Sequence, residues 1–295
     1  MKMKYVATIG FFDGVHSGHR YLIERVREVA RIRGLQSMVV TFPVHPRKVL
    51  QADYQPQLLT TKDEKLELLA KTGVDKLVLL DFDREMARMT AREFMQMLHR
   101  DYAVEVLIVG YDHRFGQGRT ACFEDYVTYG KELSMEVLRA EELKGGASST
   151  VVRRALLGGD VALANSKLGY RYFLHGKVVH GFRNGTRMGF PTANLQVEED
   201  KLIPMNGAYG VEVTVAGKVY QGMLNIGQRP TLDNGEERSV EVHIFDCQMD
   251  LYDQWLCVEF LFFLRAEKKF LSVDELCKQL DVDKSDCKRM FSVLN

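Results

Sequence analysis

Short apolar runs alternate with segments of helical periodicity through the first half of the chain. The apolar runs predict four β-strands, with the sequences YVATIG, QSMVVTF, VDKLVLLDF and AVEVLIVG. Between them, apolar residues recur every three or four positions, which predicts helices. In the first such segment Leu22, Val26, Val29 and Ala30 share one helical face, and Gly34 marks its end.

Two of the intervening helices begin with a Thr-x-x-Glu pattern, at Thr61–Glu64 and Thr90–Glu93. This pattern predicts a capping box, in which each side chain satisfies a backbone N–H of the other residue. The alternation of strand and helix predicts a doubly wound parallel sheet, with ligands beyond the carboxyl ends of its strands. Two short helices, STVVRRALLGG and DVALANSKLG, are expected to close this half.

The second half consists of strand-like runs separated by glycines, with no helix between them. The runs FLHGKVVHG, GAYGVEVTVAG, KVYQGMLNIG, SVEVHIFD and QWLCVEFLFFLR predict an antiparallel β-barrel. Helical patterns return at SVDELCKQL and DKSDCKRMFSVL. We therefore expect two domains, residues 1–168 and residues 169–295, which suits a chain of 295 residues.

Composition narrows the classes of function. Lys plus Arg and Asp plus Glu number 40 each, so the formal net charge is zero, which argues against broad nucleic-acid binding. The five cysteines include no C-x-x-C pair, which argues against a disulfide framework or a structural zinc site. There is no signal-peptide pattern, and no apolar run reaches the ~18–20 residues of a membrane span. These features predict a cytosolic protein with no membrane association.

The loop after the first predicted strand carries an unusual pair of histidines, in GFFDGVHSGH. Gly10 and Gly14 follow the strand, and His16 and His19 lead into the helix. A helix N-terminus offers free backbone N–H groups and partial positive charge, so it favours anions. Gly18 would let a ligand approach the backbone. The histidines are either helix-capping or surface residues, or donors to phosphate; their place between the first strand and the first helix favours phosphate.

Blocks along nearly the whole chain carry a family resemblance. The first half contains TIGFFDGVHSGH, TFPVHPRKVL, VGYDHRFGQGR and SSTVVRRALLGGDV; the second contains GKVVHG, MGFPTANL, GAYGV, NIGQRPT, SVEVHIFD and FLRAEKKF. In these blocks the chain resembles the bacterial bifunctional riboflavin kinase/FMN adenylyltransferases, or FAD synthetases. It departs from the family pattern at Phe11, where Asn is common, at Pro43-Val44, where Glu-Pro is common, and at His113, where Phe is usual.

The resemblance assigns the first half to adenylyl transfer. It implies that His16 and His19 bind the ATP triphosphate and stabilise the transition state as the FMN phosphate attacks the α-phosphorus. It also implies that Ser149, Thr150 and Arg153 form a second phosphate clamp, a role that suits hydroxyls, helix N–H groups and one Arg. Without the family, Ser149 would be interpreted as a helix N-cap.

Four further positions of the first half are assigned less directly. Gly10 and Gly18 are expected at the ATP site. Asp112, at a strand end, is expected to contact the flavin; the alternative is a loop aspartate that caps its own turn. Arg47 would face a phosphate or be a solvated surface charge.

The resemblance assigns the second half to riboflavin phosphorylation. Thr192 and Asn194 alternate on an extended segment and offer hard oxygen ligands for Mg²⁺ and ATP phosphates. Glu241 stands between Val240 and Val242, so it should face away from them, and the family makes it the general base for the 5′-hydroxyl of riboflavin.

Two features of the second half are further expectations from the sequence. Gly176, Gly181 and Gly185 suggest a flap over the nucleotide. Arg265 is expected to bind the flavin or, equally, to form a salt bridge at a strand end. No P-loop motif occurs, so the kinase half belongs to another fold.

We therefore expect an enzyme that makes FMN from riboflavin and FAD from FMN, using ATP and Mg²⁺ and no permanently bound prosthetic group. Its partners would be ATP, riboflavin, FMN and FAD, with neither nucleic acid nor membrane; the oligomeric state is left open. One alternative is an enzyme with a single activity, in which one half is degenerate; the intact motifs of both halves weigh against it. Another is a flavin-binding sensor, which would not need two complete phosphate sites.

Overall fold

The computed structural model describes residues 3–51, 53–55, 57–143, 145–180, 185, 188–230 and 236–294. Contacts divide the chain into two compact units, Met1–Ser149 and Thr150–Asn295. Within the described ranges, no helix combines the length and apolar character needed to cross a membrane.

The first unit is a parallel sheet with helices between its strands. The strands are β1 (Tyr5–Ile9), β2 (Gln36–Thr41), β3 (Lys76–Leu79), β4 (Val104–Val109) and β5 (Glu136–Arg139). The helices are α1 (Ser17–Arg33), α2 (Pro46–Leu50), α3 (Lys62–Ala70), α4 (Arg84–Arg88), α5 (Ala91–Tyr102) and α6 (Phe123–Leu133). The strand order is β3-β2-β1-β4-β5 and every pair is parallel, which confirms the doubly wound sheet.

The order of the strands places a switch point between β1 and β4. The chain leaves β1 toward β2 and β3 on one side, and it adds β4 and β5 on the other. In open α/β sheets, ligands bind beyond the carboxyl ends of the strands at such a point. Strand β5 was not predicted, because it has only four residues and none of them is fully buried. Helix α6 was not predicted either.

Helix α1 confirms the expected amphipathic pattern with one shift. Ile23, Val26, Val29 and Ala30 are its buried residues, whereas Leu22 is half-buried. The helix ends at Gly34 as expected.

The two predicted capping boxes are present. Thr61 Oγ1 accepts from the N–H of Glu64 at 3.3 Å, and Glu64 Oε2 accepts from the N–H of Thr61 at 2.9 Å. The same reciprocal pair joins Thr90 and Glu93, at 3.2 and 2.8 Å.

The second unit is a closed barrel with flanking helices. Its strands are β6 (Phe173–Val179), β7 (Ala193–Gln196), β8 (Gly207–Val215), β9 (Lys218–Pro230), β10 (Glu236–Ile244) and β11 (Trp255–Ala266). Its helices are α7 (Ser149–Leu157, its first residue in the first unit), α8 (Val161–Leu168) and α9 (Val273–Leu294). The strands close in the order β10-β7-β6-β11-β8-β9 and all pairs are antiparallel, which confirms the barrel.

The two helices predicted at the C-terminus form the single helix α9. No Gly or Pro interrupts the segment between the two patterns, so the backbone continues as a helix. Cys287 and Phe291 of α9 are buried against Phe190, Met223 and Phe262 of the barrel unit.

Helices α7 and α8 contact the rest of the barrel unit. Asn165 donates from Nδ2 to the carbonyl of Phe260 at 2.8 Å, and its Oδ1 accepts from the N–H of Tyr172 at 2.7 Å. The N–H of Met205 donates to the carbonyl of Leu156 at 3.0 Å. The contacts thus divide the chain ahead of these helices, while a functional boundary at residue 168 stays a prediction.

Candidate active sites

The two histidines of the first loop lie against each other at the start of α1. His16 is the N-cap of the helix, and its Nδ1 accepts from the N–H of His19 at 3.3 Å. The two imidazole rings stack, with centroids 3.6 Å apart and planes 20° from parallel. Because Nδ1 of His16 is an acceptor, a neutral His16 ring carries its proton on Nε2. The capping and phosphate interpretations are therefore compatible, since one nitrogen caps the helix and the other is a donor.

The loop that carries His16 is held by a buried carboxylate. Asp13 is 4% exposed, and its Oδ1 accepts from the backbone N–H groups of Leu59 and Thr60, at 2.9 and 3.2 Å. Phe12 and Val15, on either side, have φ angles of 56° and 36°. Left-handed backbone at non-glycine residues costs of order 1–3 kcal/mol and is concentrated at functional sites. Asp13 therefore fixes a strained loop directly before His16.

Burial and positive charge surround the second histidine. Nδ1 of His19 is enclosed and has no hydrogen-bond partner among the described residues. Burial lowers the pKa of His19 well below its ordinary value, and the nearby His16, His113 and Lys65 lower it further. His19 is therefore neutral at pH 7 in the free protein. It can offer a hydrogen bond without the cost of burying a cation.

A buried lysine acts electrostatically on this loop. Lys65 is 1% exposed, donates to the carbonyl of Phe42 at 2.7 Å, and lies 3.7 Å from the ring centroid of Phe11. Burial lowers the pKa of Lys65 to about 8, against the opposing effect of Asp13. The ammonium is thus charged at pH 7, and it contributes positive potential where an anion is expected.

The two glycines expected at the ATP site have protein neighbours. A Cβ on Gly10 would lie 3.0 Å from the ring of Phe12. A Cβ on Gly18 would lie 3.0 Å from the carbonyl oxygen of Ala147 and 3.3 Å from the ring of His16. A side chain at either position would therefore require its neighbours to shift by a few tenths of an ångström. A ligand contact at Gly10 or Gly18 stays a prediction.

Ser149 reaches the same loop. Its Oγ donates to the carbonyl of Asp13 at 2.9 Å, within the first unit. Thr150 is exposed and Arg153 is half-buried, and both lie on α7 in the second unit. The structure thus brings Ser149 to the histidine loop, and the phosphate clamp of all three residues stays a prediction.

Asp112 lines a cavity beyond β4 and β5. The cavity measures about 440 Å³. Its lining includes Asp112, His113, Phe123, Tyr126 and Arg139. Burial lowers the pKa of His113 to about 4, and Arg119 lowers it too. Asp112 therefore lines a cavity beyond β4, which is one of the two strands at the switch point, and lies beside a neutral imidazole.

The second site lies on the outer face of the barrel. Val240 and Val242 are buried, and Glu241 between them is half-buried and faces the other way, as predicted. In the ladder Glu241 pairs with Asn194 of β7 and with Asn225 of β9. Thr192 donates from Oγ1 to Oε2 of Glu241 at 3.4 Å. The structure thus brings together the predicted base and both predicted magnesium ligands.

The oxygen atoms of this group suit Mg²⁺. A hydroxyl, an amide oxygen and a carboxylate are hard ligands, of the kind that holds Mg²⁺ together with nucleotide phosphates. Among the described residues, no cluster of three or more His, Cys, Asp or Glu forms an all-protein metal site. Thr192 and Asn194 therefore fit an ion that is held chiefly by its nucleotide.

The three glycines of the expected flap have different surroundings. Gly176 lies inside β6, and Gly181 lies outside the described residues. Gly185 accepts from the N–H of Phe190 at 2.8 Å, and a Cβ there would lie 3.0 Å from Thr192 Oγ1. Gly185 thus lies against the second site, and the flap stays a prediction.

Two arginines have protein partners. Arg265 donates from Nε and Nη2 to Asp283 of α9, at 2.9 and 2.7 Å, which is the salt bridge that the sequence left open. Arg47 donates to Gln51 at 2.8 Å and lies over the ring of Tyr54, as expected of a surface residue.

Four residues at these sites were not predicted from the sequence, namely Asp13, Lys65, Asn225 and His243, whose Nδ1 lies 2.8 Å from the carbonyl oxygen of Pro191, next to Thr192. Asp13 stands in a Asp-Gly pair that is typical of a turn, and no local pattern marks Lys65. His243 carried a signal, because it stands two positions after Glu241 on the same face of one strand.

Comparisons with known proteins assign a family to each half of the chain. The family model described as FAD synthetase matches residues 1–152, and the one described as riboflavin kinase matches residues 168–291. The bifunctional riboflavin kinase/FMN adenylyltransferase of Escherichia coli K12 is 40% identical over 98% of this chain and 93% of its own length. The protein with the same description from Bacillus subtilis is 34% identical, over 99% and 94%.

A solved structure shares the fold. The macrolide-efflux protein from Streptococcus pneumoniae, as that crystal structure is described, is 34% identical with a TM-score of 0.88, over 98% of this chain and 95% of its own. With two family models and full-length relatives in agreement, the chain belongs to the family of bifunctional riboflavin kinase/FMN adenylyltransferases, its FAD synthetase part first and its riboflavin kinase part second.

Proposed function

We propose that the two activities of this family are divided between the two sites. The barrel transfers the γ-phosphoryl group of ATP to riboflavin and makes FMN. The parallel-sheet unit transfers the adenylyl group of a second ATP to FMN and makes FAD and pyrophosphate. The observation that carries the proposal is that a stacked histidine pair lies at a helix N-terminus in the parallel-sheet unit and a Thr–Glu hydrogen bond lies on the barrel. Each group is of a kind that suits phosphoryl chemistry.

For adenylyl transfer we assign the histidines to the triphosphate. Nε2 of His16 and a ring nitrogen of His19 donate to phosphoryl oxygens, and the N-terminus of α1 adds its N–H groups. Such preorganised donors stabilise the charge that develops as the FMN phosphate attacks the α-phosphorus. Ser149, Thr150 and Arg153 are the proposed second clamp, and Gly10 and Gly18 the glycines of this site.

For the kinase reaction we assign Glu241 as the general base. It accepts the proton of the 5′-hydroxyl of riboflavin as that oxygen attacks the γ-phosphorus and ADP departs. Thr192 and Asn194 would hold Mg²⁺. The ion, when bound, neutralises charge on the phosphates of ATP.

Asp112 and Arg265 are the proposed flavin contacts. Asp112 has the support of the cavity that it lines. Arg265 is bound to Asp283, so a flavin contact would use the donor capacity that the ion pair leaves.

The cytosol is the proposed compartment, supported by five free cysteines.

A time course of the pure protein tests the assignment of activities. With riboflavin, ATP and Mg²⁺, chromatography should show FMN first and FAD after it. With FMN as the starting flavin, FAD should form directly. Chelation of Mg²⁺ should stop both steps. If FMN forms but is never converted to FAD, only the kinase activity is supported. If riboflavin stays unchanged, the proposed kinase activity is wrong.

A further inference from the structure

The backbone ladder between β7 and β10 ends one residue short of Thr192, whose hydroxyl contacts Glu241. Strand β7 begins at Ala193, which pairs with Val242, and Asn194 pairs with Glu241. Continued by one step, the register would set Thr192 opposite His243, but no ladder pair is formed there. Pro191 and Thr192 therefore lie beyond the backbone hydrogen bonds that fix β7.

The side chain of His243 continues the attachment where the ladder stops. Its Nδ1 lies 2.8 Å from the carbonyl oxygen of Pro191, 52 positions away in the chain. A carbonyl oxygen only accepts, so Nδ1 carries the ring proton and donates it. This carbonyl belongs to the peptide that joins Pro191 to Thr192. The bond therefore fixes the plane from which the Thr192 side chain departs.

The ring of His243 is itself held in place. It is 7% exposed, and it meets the rings of Phe190 and Phe245 edge-on, with centroids 5.5 and 5.6 Å away. Burial holds the pKa of His243 below its ordinary value, so the ring is neutral and the tautomer is set by the Pro191 carbonyl. Nε2 is enclosed and has no hydrogen-bond partner among the described residues. Among the described residues, the hydrogen bond made by this buried ring is thus the one to Pro191, directly before Thr192.

Glu241 and His243 alternate along β10 and share its outer face. One contacts the hydroxyl of Thr192 and the other the carbonyl just before it. We propose that His243 is a positioning residue of the kinase site, which sets the hydroxyl of Thr192 relative to Glu241 through its hydrogen bond to Pro191. This inference rests on the proposed kinase function of the barrel. It predicts that removal of the His243 donor lowers the apparent affinity of the kinase for Mg²⁺ and ATP while the barrel stays folded.

The test compares three variants of the full chain in one assay. His243→Phe keeps the ring volume and removes the donor, His243→Asn keeps a donor near the position of Nδ1, and His175→Phe makes the same exchange elsewhere on the barrel's strands. Loss of a residue that orients a metal ligand typically costs about 10–100-fold in metal affinity or activity. For His243→Phe we expect the Mg²⁺ concentration at half-maximal kinase rate to rise about tenfold or more. His243→Asn should recover most of this, and His175→Phe should match the wild type.

Conversion of FMN to FAD is the internal control and should be unchanged in all three. A folded His243→Phe protein with wild-type Mg²⁺ dependence and kinase rate would overturn the inference, and so would His243→Asn failing to recover where His243→Phe fails. If the wild type itself makes no FMN, the proposed function fails instead.

A measurement on the wild type stands apart from activity and from the folding of variants. In ¹⁵N-labelled protein, the His243 ring should show a protected proton on Nδ1, in the neutral tautomer, and its signal should shift when Mg²⁺ and ADP are added. A ring proton on Nε2 instead, or a ring signal that does not shift when Mg²⁺ and ADP are added, would contradict the positioning role.

Discussion

The hydroxyl of Thr192 lies 3.4 Å from Oε2 of Glu241, although 49 positions of the chain separate the two residues. A carboxylate that accepts from this hydroxyl stands next to the oxygen proposed to ligate Mg²⁺. The proposed general base and the proposed metal ligand are therefore hydrogen-bonded to each other. A substitution of either residue should alter the position of the other side chain.

Glu241→Gln tests the base. The substitution keeps the shape of the side chain and its partner Thr192 but removes the basic carboxylate. We expect riboflavin phosphorylation to fall by about 10²–10⁴-fold, as is typical of general-base loss, with FMN-to-FAD conversion nearly unchanged. The comparison variant is Glu259→Gln, on β11 of the same barrel. Wild-type rates of FMN formation in Glu241→Gln would remove this residue from the mechanism.

Fragments test the contribution of α7 and α8 to the barrel unit. A fragment of residues 150–295 should fold and make FMN, because Thr192, Asn194 and Glu241 all lie in it. A fragment of residues 170–295 loses the two hydrogen bonds of Asn165, to the N–H of Tyr172 and the carbonyl of Phe260. Each of these groups that stays buried without a partner lowers the free energy of unfolding by about 1–3 kcal/mol. Thermal unfolding should show the longer fragment to be the more stable. Equal stability would show that these helices contribute little.

Acid should destabilise the first unit through its buried imidazoles. The pKa of His113 is lowered to about 4, and that of His19 is also lowered, so the folded chain resists protons that the unfolded chain takes up near pH 6.5. The contribution of these two neutral imidazoles to the free energy of unfolding is therefore fully present above pH 6.5 and is lost as the pH falls toward 4. From His113 alone the loss by pH 5 is up to about 2 kcal/mol.

Circular dichroism melts at pH 7 and pH 5 measure this effect. His113→Phe, which carries the residue usual in the family, should lose less stability between the two pH values than the wild type does. A pH dependence identical to the wild type would mean that His113 titrates normally.

Substitutions of Arg265 and of its partner Asp283 distinguish a structural salt bridge from a flavin contact. Asp283 is 4% exposed on its side chain, so Asp283→Asn breaks a largely buried ion pair and should destabilise the barrel unit by about 3 kcal/mol in thermal or urea unfolding. Arg265→Gln should cost a similar amount. If Arg265 also contacts the flavin, as we propose, only Arg265→Gln should raise the KM for riboflavin. Equal KM values in both variants would leave Arg265 with a structural role alone.

Most of the fold was predictable, because most strands and helices show their periodicity in residues that are neighbours in the sequence; β5 and α6 were the exceptions. The spacing of His16 and His19, and the alternation around Glu241, are local patterns of the same kind. The contacts that support these sites were not predictable, even where the residue itself lies beside a predicted one, because they join residues far apart in the chain. Asp13 binds a backbone 46 positions away and His243 one that is 52 positions away. No period or motif encodes such a pairing, which only the folded chain brings about.

The role of His16 and His19 in adenylyl transfer is the central claim, and a single variant tests it directly. His16→Asn keeps an N-cap acceptor for the N–H of His19 and removes the imidazole donor, so a loss of helix capping, about 1 kcal/mol, is avoided. The measurement is the yield of FMN and FAD when the folded variant receives riboflavin, ATP and Mg²⁺. We expect FMN to form at the wild-type rate and to accumulate, with FAD formation slower by about 10²–10³-fold. Wild-type FAD formation by folded His16→Asn protein would contradict the assignment of this loop to catalysis.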